Sequence, residues 1–220
     1  IANVSHDIKT PLTMIKAYAE MIKELSGDNP VKRNEHLDII LSEANHLNRL
    51  VNDMLQLSLN QSNKLTIDTT QFFLKKKMTE IVGLFAGFTD SGQVEIEMNI
   101  DRKIKVEADE IKFGQVMFNY INNAIRHIGE DKKVIIKAET IDKTVRISVI
   151  DHGSGIEPLH LPYIWDRYYK IDKNYTRESD GGTGLGLAIA KSICVAHNLN
   201  FGVISSEGEG ATFFVDLPLI

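Results

Sequence analysis

Residues 5–11 read SHDIKTP, which sets His6 beside Asp7, with Lys9 and Thr10 three and four positions on and Pro11 closing the run. A neutral imidazole is nucleophilic at whichever ring nitrogen lacks the proton. The neighbouring carboxylate can orient the ring by accepting the other N–H, or take that proton as a bond to phosphorus forms. Positions three and four apart share a helix face, so Lys9 and Thr10 lie next to His6. Pro11 cannot donate to the carbonyl of Asp7, which costs about 3 kcal/mol in a helix interior unless the site needs a bend.

Three later stretches carry chemistry of another kind. VRISVIDHGSGI puts Asp151 at the end of a strand, followed by Gly153 and Gly155. Two glycines at that spacing let the backbone turn close to a flat ligand, and the carboxylate can accept hydrogen bonds from an exocyclic amine. Taken alone, the motif reads equally well as a plain strand-to-turn connection. GGTGLGLAIAK (181–191) is glycine-rich and enters a helix, which suits phosphate at the helix N-terminus. It is neither a P-loop nor a dinucleotide fingerprint, because no GxxxxGK[ST] is present and no strand precedes it. In NYINNAIRH (119–127), Asn119, Asn123 and Arg126 recur at four and three residues, and they are expected opposite the apolar stripe of their helix. An amide oxygen facing phosphates suits Mg²⁺, a hard ion that keeps several waters; a solvated helix face is the plainer alternative.

Two kinds of element must position these groups. Over the first sixty residues Ile1, Val4, Ile8, Ile15, Tyr18, Ile22 and Leu25 recur at steps of three and four, with Pro11 in the missing place. Beyond GDNP (27–30), Leu37, Ile40, Ala44, Leu47, Val51 and Met54 repeat the spacing. The pattern predicts a two-helix hairpin forming a dimeric four-helix bundle, because one hairpin has too few seam residues to bury itself. His6 falls outside this seam, on the exposed face. From about residue 64 the period changes to alternation. Strands are expected at 94–100, 134–141, 145–150, 200–206 and 211–217. Helices are expected at 110–128, with Ile111, Phe118, Ile121, Ile125 and Ile128 on one face, and at 186–198. The class is α+β, the second domain being an α/β sandwich with helices on one face of a mixed sheet. LNQSNK (59–64) reads as the linker, giving domains at 1–60 and 65–220.

Composition narrows the partners. A net charge of −5 over 220 residues argues against nucleic acid, which wants a concentrated basic surface. The KKK at 75–77 reads as a solvated helix end. Cys194, the single cysteine, lies among Ile193, Val195 and Ala196 and is expected to be a core thiol in a reducing compartment. No apolar run approaches the ~18 residues of a membrane helix. The chain opens at Ile1 already in a helical pattern, which reads as a piece of a longer protein; membrane attachment would come through segments absent from this chain.

Together the three later stretches resemble the N, G1 and G2 boxes of the Bergerat-type ATP-binding fold. PYIWDRYYKID (162–172) is similar to the F box of its histidine-kinase branch, with Trp165 where phenylalanine is usual. NVSHDIKTPLTMIKAYAEMI is similar to the H box of sensor histidine kinases of two-component systems, so the resemblance spans essentially the whole chain in the family's order. Asp7 stands for the commoner glutamate, Lys9 for arginine and Arg126 for lysine. The resemblance implies ATP and Mg²⁺ as cofactors, a homodimer, and a response regulator receiver domain as partner. It implies autophosphorylation of His6 with Asp7 and Thr10 as catalytic neighbours, Thr10 serving regulator dephosphorylation, then transfer to a regulator aspartate. Nucleotide contacts would fall to Asn119, Asn123, Arg126 and His127; to Asp151, Gly153, Gly155 and Ile156; to Arg167 and Lys170; to Gly182, Gly184, Leu185 and Gly186; and to Thr212. Asn123 would hold the metal, and residues 156–181 would form a lid. The ATPases of this fold carry a glutamate where Asn119 stands, and an amide cannot act as a base, so hydrolysis is disfavoured. An ATP hydrolase and a non-catalytic ATP-binding scaffold remain the alternatives. The implied location is the cytoplasmic portion of a membrane-anchored sensor.

Overall fold

The computed structural model describes residues 2–61, 66–171 and 183–220; within it, side chains of 2–7 and 56–61 lie outside the description. The chain divides after Ser58 into two compact units.

The first unit is helical. Helix α1 (Ala2–Met21) runs through Pro11, a π-turn (Ile22–Ser26) follows, and α2 (Pro30–Gln61) returns. Ile8, Ile15, Tyr18 and Ile22 are half-buried and Pro11 is buried, as the repeat of three and four requires. Leu25 breaks the pattern at 81% exposure, and Ser26 takes the buried place instead. A π-turn holds an extra residue per turn, which moves the repeat on by one position. Ser26 Oγ lies 3.2 Å from the Met21 carbonyl and 3.0 Å from His36 Nδ1.

On α2 the expected single seam is two stripes. Ile40, Leu47 and Met54 are half-buried around the fully buried Leu50, whereas Leu37, Leu41, Ala44, Val51 and Leu55 are exposed at their own three-and-four spacing.

The second unit contains a five-stranded mixed sheet in the order β2-β4-β5-β7-β6. Its strands are β2 (Glu95–Asn99), β4 (Lys133–Ile141), β5 (Thr144–Asp151), β6 (Phe201–Ser205) and β7 (Ala211–Pro218). Only β2 and β4 run parallel. Two four-residue strands, β1 (Thr70–Phe73) and β3 (Lys105–Ala108), pair beside it, and helices α3 (Leu74–Gly83) and α4 (Ala86–Asp90) follow β1. Of these four only α3 had a signal in the sequence, the KKK run read as a helix end. Helices α5 (Glu110–Arg126) and α6 (Gly186–Ala196) pack together over the sheet.

The buried stripe of α5 is Phe113, Val116, Met117, Tyr120, Ile121 and Ala124; of the expected stripe Ile121 is in it, whereas Ile111 is 72% exposed and Phe118 40%. The helix is apolar on two sides, and only the wider one faces the core. Fully burying six such side chains, at ~1.5–3 kcal/mol for each large one, is what fixes α5 in rotation. Asp109 caps it, its Oδ1 accepting from the N–H groups of Ile111 and Lys112 at 3.1 and 3.0 Å. The KKK run is only partly solvated, since Lys77 is 18% exposed and bridges Glu80 and Glu110 at 3.5 and 3.3 Å.

Candidate nucleotide site

Alternation along β5 and β7 decides which side chains meet. Asp151 pairs in register with Ala211, and Val149 with Phe213, all four on the buried face. Phe213 contacts the Tyr120 ring of α5, with centroids 5.5 Å apart, so this is the face under the helices. Asp151 therefore ends β5 pointing into the helix layer, and it is only 2% exposed. Its Oδ1 accepts from the Gly153 N–H at 3.0 Å and the Ala211 N–H at 3.3 Å. Its Oδ2 is buried with no hydrogen-bond partner. Burial holds the carboxyl above the usual carboxylate range, against the pull of those two N–H groups and of His127 and His152 nearby. A buried acceptor left open costs ~1–3 kcal/mol and asks for a donor from outside the chain.

The wall around this oxygen is backbone. A Cβ on Gly153 would strike the His127 carbonyl at the end of α5, so the turn closes only with glycine there. Gly155 adopts φ +69°, a left-handed conformation that suits glycine, and packs against the Ser206 carbonyl. Behind the turn, Ser205 Oγ accepts from the Ile156 N–H at 2.9 Å and donates to the Gly210 carbonyl at 2.5 Å. Ser205 and Ala211 were absent from the expected site. Ser205 had a legible signal, a polar residue in the inward register of β6 after Phe201 and Val203.

The start of α6 comes up to α5. A Cβ at Gly186 would lie 2.8 Å from Asn119 Oδ1, so the glycine-rich stretch and the asparagine helix touch. Asn119 Nδ2 donates back to the Gln115 carbonyl at 2.9 Å, while its Oδ1 faces Gly186. Asn123 is half-buried and makes no side-chain hydrogen bond among the described residues. Asn119, Asn123 and Arg126 share one side of α5 at the margin of the buried stripe rather than opposite it. Leu185 is 0% exposed, so it anchors the loop and cannot line an open pocket. Ile156 is likewise buried at 9%.

Trp165 is an anchor as well. Its ring meets Phe201 and Phe213 edge-on at 5.1 and 5.9 Å and fixes the segment after β5 to the core. The Gly184 carbonyl accepts from the Tyr168 N–H at 2.8 Å, joining that segment to the glycine-rich stretch. Arg167 and Lys170 are exposed there. Thr212 is a correction. Its neighbours Ala211 and Phe213 face inward, so alternation puts its side chain on the outer face of the sheet, away from Asp151. Cys194 is the expected core thiol, pushed up to about 12 by burial. Thr10 is exposed on α1, while Gly182, the part of the lid at 172–181, and the His6 and Asp7 side chains lie outside the described residues.

Residues 108–220 match the family described as histidine kinase-, DNA gyrase B- and HSP90-like ATPases, and residues 1–63 match the His Kinase A phospho-acceptor domain. The chain belongs to the sensor histidine kinases. It is 37% identical over 221 residues to the sensor histidine kinase WalK of Bacillus subtilis, covering 99% of this chain and 36% of that protein. To the sensor protein SrrB of Staphylococcus aureus it is 32% identical, covering 99% and 37%. The chain thus spans little more than a third of these relatives. Among solved structures, histidine kinase ThkA in complex with the response regulator TrrA superposes with TM-score 0.79 at 25% identity, over 100% of this chain and 60% of that one. The Acinetobacter baumannii kinase AdeS shares the fold, with TM-score 0.76 at 21% identity over 97% and 98%. Among the described residues no helix is long and apolar enough to cross a membrane.

Proposed function

We propose that this chain binds ATP at Asp151, phosphorylates its own His6, and passes the phosphoryl group to an aspartate of a response regulator. One observation carries the nucleotide end: the buried Asp151 Oδ2 has no partner, beside a turn whose backbone closes only with glycine. An exocyclic amine is the donor that fits it. The phosphates would then lie toward α6 and the asparagine side of α5, with Gly153, Gly155, Gly182, Gly184 and Gly186 giving backbone access. Arg126, His127, Arg167 and Lys170 would supply charge.

Among the described residues no cluster of three or more His, Cys, Asp or Glu could hold a metal ion. Mg²⁺ would therefore be held between the phosphates and the Asn123 amide oxygen, where it would neutralise charge on the transferring group. Asn119 presents an amide where hydrolases of this fold place a carboxylate, which favours transfer over attack by water. The unprotonated nitrogen of His6 attacks the γ-phosphorus as the bond to the bridging oxygen breaks. ADP leaves, and Asp7 takes the remaining ring proton. Such transfers depend on positioning and charge stabilisation.

Residues 1–60 would form the dimerising, phosphoacceptor domain and 65–220 the catalytic domain, with upstream segments anchoring the sensor in a membrane. The domain pair and the ThkA–TrrA likeness support the dimer and the regulator as partners. The test is labelled ATP followed by mapping of the phosphorylated residue. His6→Gln should bind ATP as before and take no label, and the wild-type label should vanish in acid and survive alkali. Label on the variant refutes the assignment. Thr10 can hold a water near a regulator acyl phosphate, so Thr10→Ala should keep most kinase activity and lose most regulator dephosphorylation. A parallel fall in both rates would make Thr10 a support of the helix at Pro11.

A further inference from the structure

The turn that carries Asp151 is held from outside the pocket by a second pair of charges. His152 Nδ1 lies 2.6 Å from Asp131 Oδ2. His152 follows Asp151 directly, and its carbonyl meets Gly129 so closely that a Cβ there would clash. Asp131 sits in the connection between α5 and β4, whose other end supplies the His127 carbonyl against Gly153. The pair therefore pins the turn to the segment that forms its opposite wall. Both side chains stay open to solvent, at 47% and 37% exposure, so they can exchange protons with it.

We infer that His152 and Asp131 act as a positioning pair for nucleotide binding, closing the base end of the pocket more firmly when the imidazole is charged. The inference rests on the nucleotide reading of Asp151. The neutral ring can still donate from Nδ1, so the contact survives deprotonation as an ordinary hydrogen bond. Protonation makes it charge-assisted, and such bonds are shorter and stronger. The imidazolium also adds a positive charge beside Asp151, favouring the ionised acceptor. The other ionisable groups around the pair are Lys133, which acts on Asp131, His127, which acts on Asp151, and Glu207, whose backbone packs on Gly155. The sign is fixed: affinity should fall as pH rises through the range where imidazoles lose their proton, roughly pH 5 to 8.

The experiment is calorimetric binding of ADP to the 220-residue chain from pH 6 to 8 at constant ionic strength, with thermal unfolding of each variant. Titration of ADP itself is common to all variants and cancels in ratios to wild type. At pH 6, His152→Ala, Asp131→Asn and the double variant should each bind roughly two- to fivefold more weakly, all three alike, because exposed pairs contribute modestly. The deficit should shrink toward pH 8. His152→Asn places its amide nitrogen where Nδ1 lay, so it should match wild type at pH 8 yet gain no affinity toward pH 6. A double variant whose loss is the sum of the singles, or a deficit unchanged with pH, overturns the inference. So does a fall in unfolding temperature with unaltered affinity, which would mark the pair as a loop fastener. Asp151→Asn separates the two claims. If it weakens ADP binding while the pair variants do nothing, only the positioning pair fails; if it does not, the nucleotide reading fails too.

Discussion

The hairpin and the sheet unit treat their apolar residues in opposite ways. In the sheet unit the core closes on itself, with Tyr120, Phe213, Met117, Ile147 and Leu185 almost wholly out of water, and among the described residues its unpartnered buried side-chain atoms are the Tyr120 hydroxyl and a carboxylate oxygen of Asp151. In the hairpin only Leu50, Ser26 and Pro11 are buried among the described side chains, and an apolar stripe on α2, interrupted at Asn48, faces outward. One unit is finished except for a small ligand; the other is unfinished along its length. On the proposed function a flat molecule would complete the first, and a surface as long as α2, such as a second hairpin, would complete the second.

The largest effect should come from attacking that stripe. Leu41 and Leu55 are 60% and 57% exposed and two heptads apart. Replacing both with glutamate puts four charges into a symmetric interface and forfeits ~1.5–3 kcal/mol per leucine. Sedimentation should show the dimer giving way to monomer, its dissociation constant raised more than about a hundredfold. The sheet unit should keep its unfolding temperature and its nucleotide affinity. An unchanged dimer would mean that the stripe is not the interface, and the contrast between the units would lose its meaning.

Asp151→Asn should act on the sheet unit in two opposed directions. Asn Oδ1 can still accept from Gly153 and Ala211, but an amine donor would now meet an amide donor, and affinity should fall roughly 10- to 100-fold. Stability should move the other way. Burial raises the folded carboxyl above its ordinary range, so the native state is favoured while Asp151 is protonated and loses that advantage as pH rises through the elevated value. The neutral amide removes this dependence, and unfolding at neutral pH should shift up by no more than a few degrees. Melting curves across pH and calorimetry on one preparation check both. Loss of stability together with affinity would make Asp151 a structural residue.

The two units also differed in how much of them the sequence disclosed. The hairpin followed from its repeat, yet the phase slipped at Leu25, because a π-turn is invisible to a count of threes and fours. The second stripe of α2 was merged with the first, since Leu37 and Val51 belong to one and Ile40 and Met54 to the other. In the sheet unit β2, β4, β5, β6 and β7 were all announced. Alternation could not announce TQFF and KVEA, each too short to show a period and paired with the other across more than thirty positions. On α5, Ile111 and Phe118 mark a real stripe, but one on the wrong side, because the core takes the wider apolar face. Asp151 was legible through the glycines that follow it. Ser205 left only its inward place in β6 as a signal, and Ala211 left none, because it acts through its backbone N–H.

Thr212 gives the smallest effect and the sharpest check on how the faces of β7 are divided. A hydroxyl beside the pocket motif invites assignment to the nucleotide, and spacing alone cannot say whether position 211 or 212 points inward. Register answers it. Ala211 pairs with Asp151, and Phe213 with Val149, so Thr212 stands with Ile150 and Ile204 on the outer surface. Thr212→Val keeps the shape and the β-branched fit to a strand while deleting the hydroxyl. ADP affinity should stay within about twofold of wild type, since surface changes away from buried networks usually fall within ~0.5 kcal/mol. Ala211→Leu makes the contrast on the adjacent residue. It drives a larger side chain under the helices beside Asp151 and should weaken binding at least tenfold, overpacking there costing ~1–3 kcal/mol. If Thr212→Val were the damaging variant and Ala211→Leu the silent one, β7 would present its other face to the nucleotide, and the pocket built around Asp151 Oδ2 would have to be redrawn.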